Sequence, residues 1–87
     1  MHAVEIPVKF NDVAAAKAEL PGLVAQVSGM PGFVAGYWVG YEGDHGTAII
    51  LFESEEGART LANIATSTPS ESVTTETVEV GEVWAHA

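Results

Sequence analysis

The chain has 87 residues, with twelve acidic side chains against three basic ones, a formal net charge of −9 and no cysteine. That length supports a single domain spanning 1–87 around one core. The missing cysteines exclude disulfide frameworks and thiolate metal sites, and Lys9, Lys17 and Arg59 cannot assemble the basic patch that nucleic acid or an anionic membrane surface requires.

Ala3 to Phe10 alternates, with Val4, Ile6, Val8 and Phe10 on one side and Glu5, Pro7 and Lys9 on the other. Period two predicts a strand with one face on the core. Pro7 argues against a regular central strand, because it has no N–H to give. Either its nitrogen points away from a partner or the pairing is locally irregular. Asn11 and Asp12 then offer caps for a helix starting near Val13. Val13, Ala16, Leu20, Leu23, Val24 and Val27 recur at helical spacing. Pro21 and Gly22 interrupt that stripe, which predicts a kink or two short helices. The segment SGMPG, Ser28 to Gly32, ends the helix.

Phe33 to Phe52 reads as a hairpin, two apolar arms around the polar turn Glu42 to Gly46. On the first arm Phe33, Ala35, Tyr37, Val39 and Tyr41 alternate with Val34, Gly36, Trp38 and Gly40. On the second, from Thr47, Ala48, Ile50 and Phe52 oppose Ile49 and Leu51. Gly36 and Gly40 flank Trp38 on its own face, leaving room for the indole or for a ligand. Arms that are apolar on both faces need cover on both. Helices cover one, and a second subunit is the expected cover for the other.

Ser54 opens the second helix, with Glu55 and Glu56 in its first turn, where free N–H groups favour negative charge. Ala58, Leu61, Ala62 and Ala65 form its buried stripe. Ala65 to Ser72 reads as a loop, and Val73 to Ala85 as one long strand with a bulge at Gly81. The resulting order is β-α-β-β-α-β. Right-handed crossovers make it an α+β, ferredoxin-like, four-stranded antiparallel sheet with both helices on one face and the first strand beside the last.

No apolar run reaches the roughly 20 residues that span a bilayer. The N-terminus lacks a charged segment followed by an apolar one, so no secretory signal is expected and the expected location is cytoplasmic. Hydrophobic residues make up 47% of the chain, more apolar surface than one small core readily hides. That points to a homodimer.

The segments PGFVAGYWV, GTAIILFESEEGARTLAN and VEVGEVWAHA resemble the dimeric α/β-barrel superfamily, especially small proteins like the antibiotic-biosynthesis monooxygenases. The resemblance covers most of the chain. It implies two ferredoxin-like subunits facing sheet to sheet, with a ligand pocket between sheet and helices in each. Members of that superfamily include cofactor-free quinone-forming oxygenases, haem-degrading enzymes and isomerases. Haem-degrading members carry an asparagine inside the first strand and a histidine on the second helix. Here Asn11 follows the strand, and Glu55 to Thr66 contains no histidine. The cofactor-free oxygenases place Trp, Tyr and Asn around an aromatic substrate, and Trp38 and Tyr37 are the matching residue types in this chain.

The pocket candidates are accordingly Tyr37, Trp38, Tyr41, Asn11 and Arg59. Aromatic walls with a few polar tips suit a flat ligand, and the same aromatics equally suit a core or a dimer barrel. Asn11 also serves as a helix cap, and Arg59 as an ion-pair partner. His2 and His86 fall at opposite ends of neighbouring strands, with Glu82 nearby. They form a weak candidate pair for a metal or a proton shuttle, or two terminal histidines without a role. His45 beside Asp44 in the hairpin offers an Asp–His contact or a solvated turn. No P-loop, GxGxxG between strand and helix, HExxH or EF-hand is present. The expected function is a cofactor-independent, monooxygenase-like activity on a small aromatic or phenolic molecule, without metal or flavin. The alternative is a non-catalytic small-molecule-binding or structural homodimer.

Overall fold

The computed structural model describes residues 1–87. It contains β1 (His2–Phe10), α1 (Val13–Ser28), β2 (Phe33–Gly40), β3 (His45–Phe52), α2 (Glu55–Ser67), β4 (Val73–Thr75) and β5 (Glu79–Glu82). The strands form one antiparallel sheet in the order β2-β3-β1, with β4 and β5 both paired to the far edge of β1. Together β4 and β5 fill the fourth lane, so the fold is ferredoxin-like, as the order of elements implies.

The last lane departs from the expected single strand, and Pro7 supplies the reason. In β4, Val8 pairs with Thr75 and Phe10 with Val73; in β5, Val4 pairs with Val80 and His2 with Glu82. The paired numbers sum to one more in β5 than in β4. One extra residue is therefore accommodated between Thr75 and Glu79, opposite Pro7. The Pro7 carbonyl accepts from the Glu76 N–H (2.8 Å). In an antiparallel ladder the N and C=O of one residue face the same neighbour, so the missing donor of Pro7 faces the break. The irregularity thus lies at 76–78. Gly81, the expected bulge, pairs in register with Ala3.

A second register change reassigns Phe33. Phe33 pairs with Phe52, whereas Ala35 pairs with Leu51, so Val34 is bulged out of the ladder. A one-residue shift moves a side chain to the other face. Phe33 therefore joins Trp38 on the helix-covered face instead of lying with Tyr37, and meets Phe52 edge to face at 6.2 Å between centroids. The indole of Trp38 lies over Gly36, where an added Cβ would come within 2.9 Å of the ring. Gly32 and Gly43 have φ of 81° and 91°, a left-handed backbone that only glycine adopts cheaply, and they make the turns before β2 and between β2 and β3.

Asp12 caps α1 by accepting from the Ala15 N–H (3.0 Å), and Ser54 caps α2 by accepting from the Gly57 N–H (3.3 Å). Of the two forms expected at Pro21, a kink or two short helices, the second does not occur: α1 is one helix over Val13–Ser28. Pro21 removes the helical partner of only one carbonyl, that of Lys17. It sits on an exposed turn, where water replaces the lost bond.

The core is small. Val4, Ala48, Ile50 and Phe52 from the sheet meet Ala58 and Leu61 of α2 and Val27 of α1. Val27 is the only buried residue of α1, so that helix is anchored near its C-terminal end. At the opposite end of the sheet, Phe10 closes over Gly46. A Cβ added to Gly46 would fall 2.5 Å from the Val39 carbonyl and 2.8 Å from the Phe10 ring. Gly46→Ala is expected to cost about 2 kcal/mol through overpacking and to lower the melting temperature by about 8–16 °C. Gly40→Ala, where nothing lies within 4 Å, is the control, and thermal denaturation of the two variants checks the difference.

Candidate ligand-binding site

A helix that touches its sheet at one end stands off it at the other. Between the standing part of α1, the sheet and α2 lies a cavity of about 920 Å³. That is the upper part of the range for ligand pockets, roughly 300–1,000 Å³. Val13, Leu20 and Leu23 of α1 face Ile6 and Trp38 of the sheet and Leu61 of α2 across it. The apolar stripe of α1, read from the sequence as a core face, is therefore largely a cavity wall. Val13, Leu23 and Ile64, all lining residues, retain substantial exposure for such large apolar side chains.

The polar groups on this wall lie at its edges. At roughly 100° per residue, Lys17 and Glu19 flank the inward stripe of α1 on opposite sides, and both line the cavity. Of the three basic residues, Lys9 pairs with Asp44 (3.8 Å) and Arg59 with Glu55 (2.9 Å), which leaves Lys17 as the one outside an ion pair. Glu19 is tied to the loop before β4. The Ser72 hydroxyl, on a residue only 3% exposed, donates to Glu19 Oε2 at 2.7 Å. The Ser70 and Ser72 hydroxyls lie 3.0 Å apart, and the Ser72 N–H donates to Ser70 Oγ at 3.3 Å. A hydroxyl has one proton. Since that of Ser72 goes to Glu19, Ser70 donates to Ser72, and the chain of bonds runs Ser70 to Ser72 to Glu19. Sequence reading placed Ser70 and Ser72 in a polar loop and gave Glu19 no role. Glu19 and Ser72 are 53 positions apart, and no local pattern joins them.

The candidates named from sequence are separated by the fold. Trp38 and Tyr41 line the cavity, whereas Tyr37, Asn11 and Arg59 do not. Tyr37 pairs with Ile49 on the uncovered sheet face and is 60% exposed. Asn11 Nδ2 donates to the Thr74 hydroxyl (3.1 Å) and to the Glu71 carbonyl (3.4 Å), which clips the end of β1 to the start of the last lane. Arg59 is held along α2 by Glu55, one helical turn away. The Asp44–His45 contact does not form. Asp44 pairs with Lys9, and the His45 ring lies 5.4 Å from that of Tyr41. His2 stands opposite Glu82, with Nδ1 enclosed and without a hydrogen-bond partner, and His86 is exposed beyond β5. No group of three or more potential metal ligands forms anywhere in the chain.

The donor set of the cavity also bears on haem. None of His2, His45 and His86 lines it; of the side-chain types that serve as axial haem ligands, the lining offers Met30 and Tyr41. Axial ligation by histidine is therefore not on offer, and the walls do not fit a haem held in that way.

The other face of the sheet is largely apolar, around Glu5 of β1 and Thr47 of β3. Ala3 and Pro7 of β1, Ile49 and Leu51 of β3, and Ala35, Tyr37 and Val39 of β2 share it by register. Beyond β5, Trp84 is 91% exposed. No helix of the chain is long and apolar enough to cross a membrane.

No protein-family model matches the sequence, and no curated protein does. Solved structures do match in shape. MupZ from Pseudomonas fluorescens superposes with a TM-score of 0.73 at 19% identity, over 91% of this chain and 65% of its own. This chain thus spans slightly less than two thirds of that protein's length. A protein of unknown function from Nitrosomonas europaea matches with a TM-score of 0.69 at 16% identity, over 99% of this chain and 91% of its own. MhuD from Mycobacterium tuberculosis, described as a haem degrader with two haems bound in its active site, matches with a TM-score of 0.57 at 23% identity, over 98% of each chain. At these identities the likeness concerns the fold alone, and that fold is ferredoxin-like.

Proposed function

We propose that this protein binds a small, mainly apolar aromatic molecule in the cavity under α1 and acts on it, as a homodimer joined through the uncovered sheet face. One observation carries the reading. A 16-residue helix with a continuous apolar stripe buries only Val27 and leaves the rest of that stripe around a cavity of about 920 Å³. A helix kept for packing alone gains by closing such a gap, since unfilled apolar space forfeits dispersion contacts. Trp38 and Phe10 supply flat walls, while Tyr41, Lys17 and Glu19 supply polar tips.

The finer reading is cofactor-free oxygenation. A phenol and one O₂ yield a quinone and one water, and the substrate supplies all the electrons. Such chemistry asks the protein to hold the phenol, accept its proton and exclude bulk water. The apolar walls suit the last task and the polar edges the first two. The likeness to MupZ and MhuD supports a small-molecule role through the shared fold.

The binding test is a wall substitution. Leu20→Trp projects an indole into the cavity and is expected to weaken binding of 1-methoxynaphthalene at least tenfold by calorimetry, with an unchanged or raised melting temperature. Equal binding by both proteins, or no binding by the wild type, overturns the cavity as the site. Oxygen uptake with a hydroxynaphthalene tests the catalytic reading. One O₂ consumed per quinone supports it, and binding without uptake overturns it in favour of a carrier or sensor.

A further inference from the structure

We propose that the Ser70–Ser72–Glu19 edge of the cavity is the subsite for a hydroxyl group on the ligand, with the Glu19 carboxylate as its hydrogen-bond acceptor, so that the pocket selects phenols over their ethers. This rests on the cavity being the ligand site. The argument begins with the bonding of Glu19. Its Oε2 accepts from Ser72, and its Oε1 has no hydrogen-bond partner in the chain. Both Glu19 and Ser70 line the cavity.

An ionised carboxylate only accepts, and each oxygen has more than one acceptor site. The group it presents to the cavity is therefore matched by an O–H or N–H donor and repelled by an ether or carbonyl oxygen. A glutamate on a helix surface is normally free to swing. Here the buried Ser72 hydroxyl fixes one oxygen, and Ser72 is itself fixed from behind by Ser70. The ordering entropy of the acceptor is thus met before the ligand arrives, which is the condition under which one hydrogen bond discriminates well. The side of the cavity is also defined. Glu19 faces the last lane of the sheet through Ser72, while Lys17 flanks the opposite side of the α1 stripe. A ring donor at Glu19 therefore points the body of the ligand toward Trp38 and Leu61.

Hydrogen bonds to charged groups are worth more than neutral ones, and an edge site open to water takes the low end of their range, about tenfold in affinity. The probes are 1-naphthol and 1-methoxynaphthalene, in which a methyl group replaces the donated proton. Wild-type protein is expected to bind the naphthol about tenfold tighter by calorimetry. In Glu19→Gln the amide oxygen can still accept from Ser72, but it turns an N–H₂ group toward the cavity. The preference is then expected to fall to about one or to invert, with binding of the ether retained and the melting temperature unchanged. Ser72→Ala frees the carboxylate and is expected to reduce the preference partway. A wild-type protein that binds both probes equally overturns the subsite and leaves the cavity reading standing. A preference that survives Glu19→Gln places the hydroxyl elsewhere and overturns it as well. If neither probe binds, the cavity reading fails and the subsite with it.

Discussion

Phe52→Ala is expected to remove about 3–5 kcal/mol of stability, a drop of roughly 15–30 °C in the melting temperature of a domain this size. Phe52 has no exposed surface. Its ring is held on one side by the edge of Phe33 and on the other by the first turn of α2. The space left by truncation has little to fill it. Phe33 is fixed by the Val34 bulge, and the helix residue facing the ring is Gly57, where an added Cβ would lie 3.0 Å from Phe52 Cδ1. The glycine that weakens the helix by its propensity is thus the one that admits the ring. A sign change follows. Gly57→Ala is expected to destabilise the wild type through this close contact, but to restore part of the loss in the Phe52→Ala background by filling space. A double-mutant cycle by chemical denaturation measures that coupling. Additive effects, or a melting temperature lowered by less than about 5 °C in Phe52→Ala, would contradict this account of the core. Small domains hold only about 5–15 kcal/mol in total, so this one ring decides whether the chain is folded at 37 °C.

Ile49→Asp is expected to convert a two-chain assembly into a single chain. Ile49 lies on the uncovered face between Glu5 of β1 and Tyr37 of β2. In an isolated subunit the position is exposed, and an aspartate there costs little. Between two sheets the same carboxylate would be buried without a partner, about 3–5 kcal/mol for each. A two-fold interface contains it twice. Sedimentation of wild type and variant separates the cases. Wild type at the mass of two chains with the variant at one supports the barrel. Wild type already at one chain on dilution, or a variant still paired, rejects this face as the interface. Trp84, 91% exposed in one subunit, offers an independent readout. Its emission is expected to shift to the red when the variant dissociates.

The order of elements could be read along the chain because each is specified by spacing. Alternation in Val4, Ile6 and Val8 and in Ala48, Ile50 and Phe52 marks strands. The helical recurrence in Val13, Leu20 and Val27 marks α1, and Asp12 and Ser54 mark the helix starts through their own side chains. That Trp38 and Tyr37 fall on opposite faces of the sheet follows from the same alternation. These features depend on residues a few positions apart, and the physics that links them is local.

What the tertiary structure alone decided are the departures from that local order and the relations across long separations. The Val34 bulge moves Phe33 to the core, because Phe52, nineteen positions away, offers the edge-to-face contact. The last lane breaks opposite Pro7, because the missing N–H matters only to the strand that lies beside it. Asn11 and Arg59, chemically plausible in a pocket, are taken by partners outside it. Which sheet face the helices cover, and so that Trp38 and not Tyr37 lines the cavity, is set by the packing of α1 and α2. A helical stripe shows which face of α1 turns inward, but not how far the helix stands from the sheet. That distance is set by where the chain anchors it, here at Val27. The cavity beneath α1, and the pairing of Glu19 with Ser72 at its edge, exist only because of it.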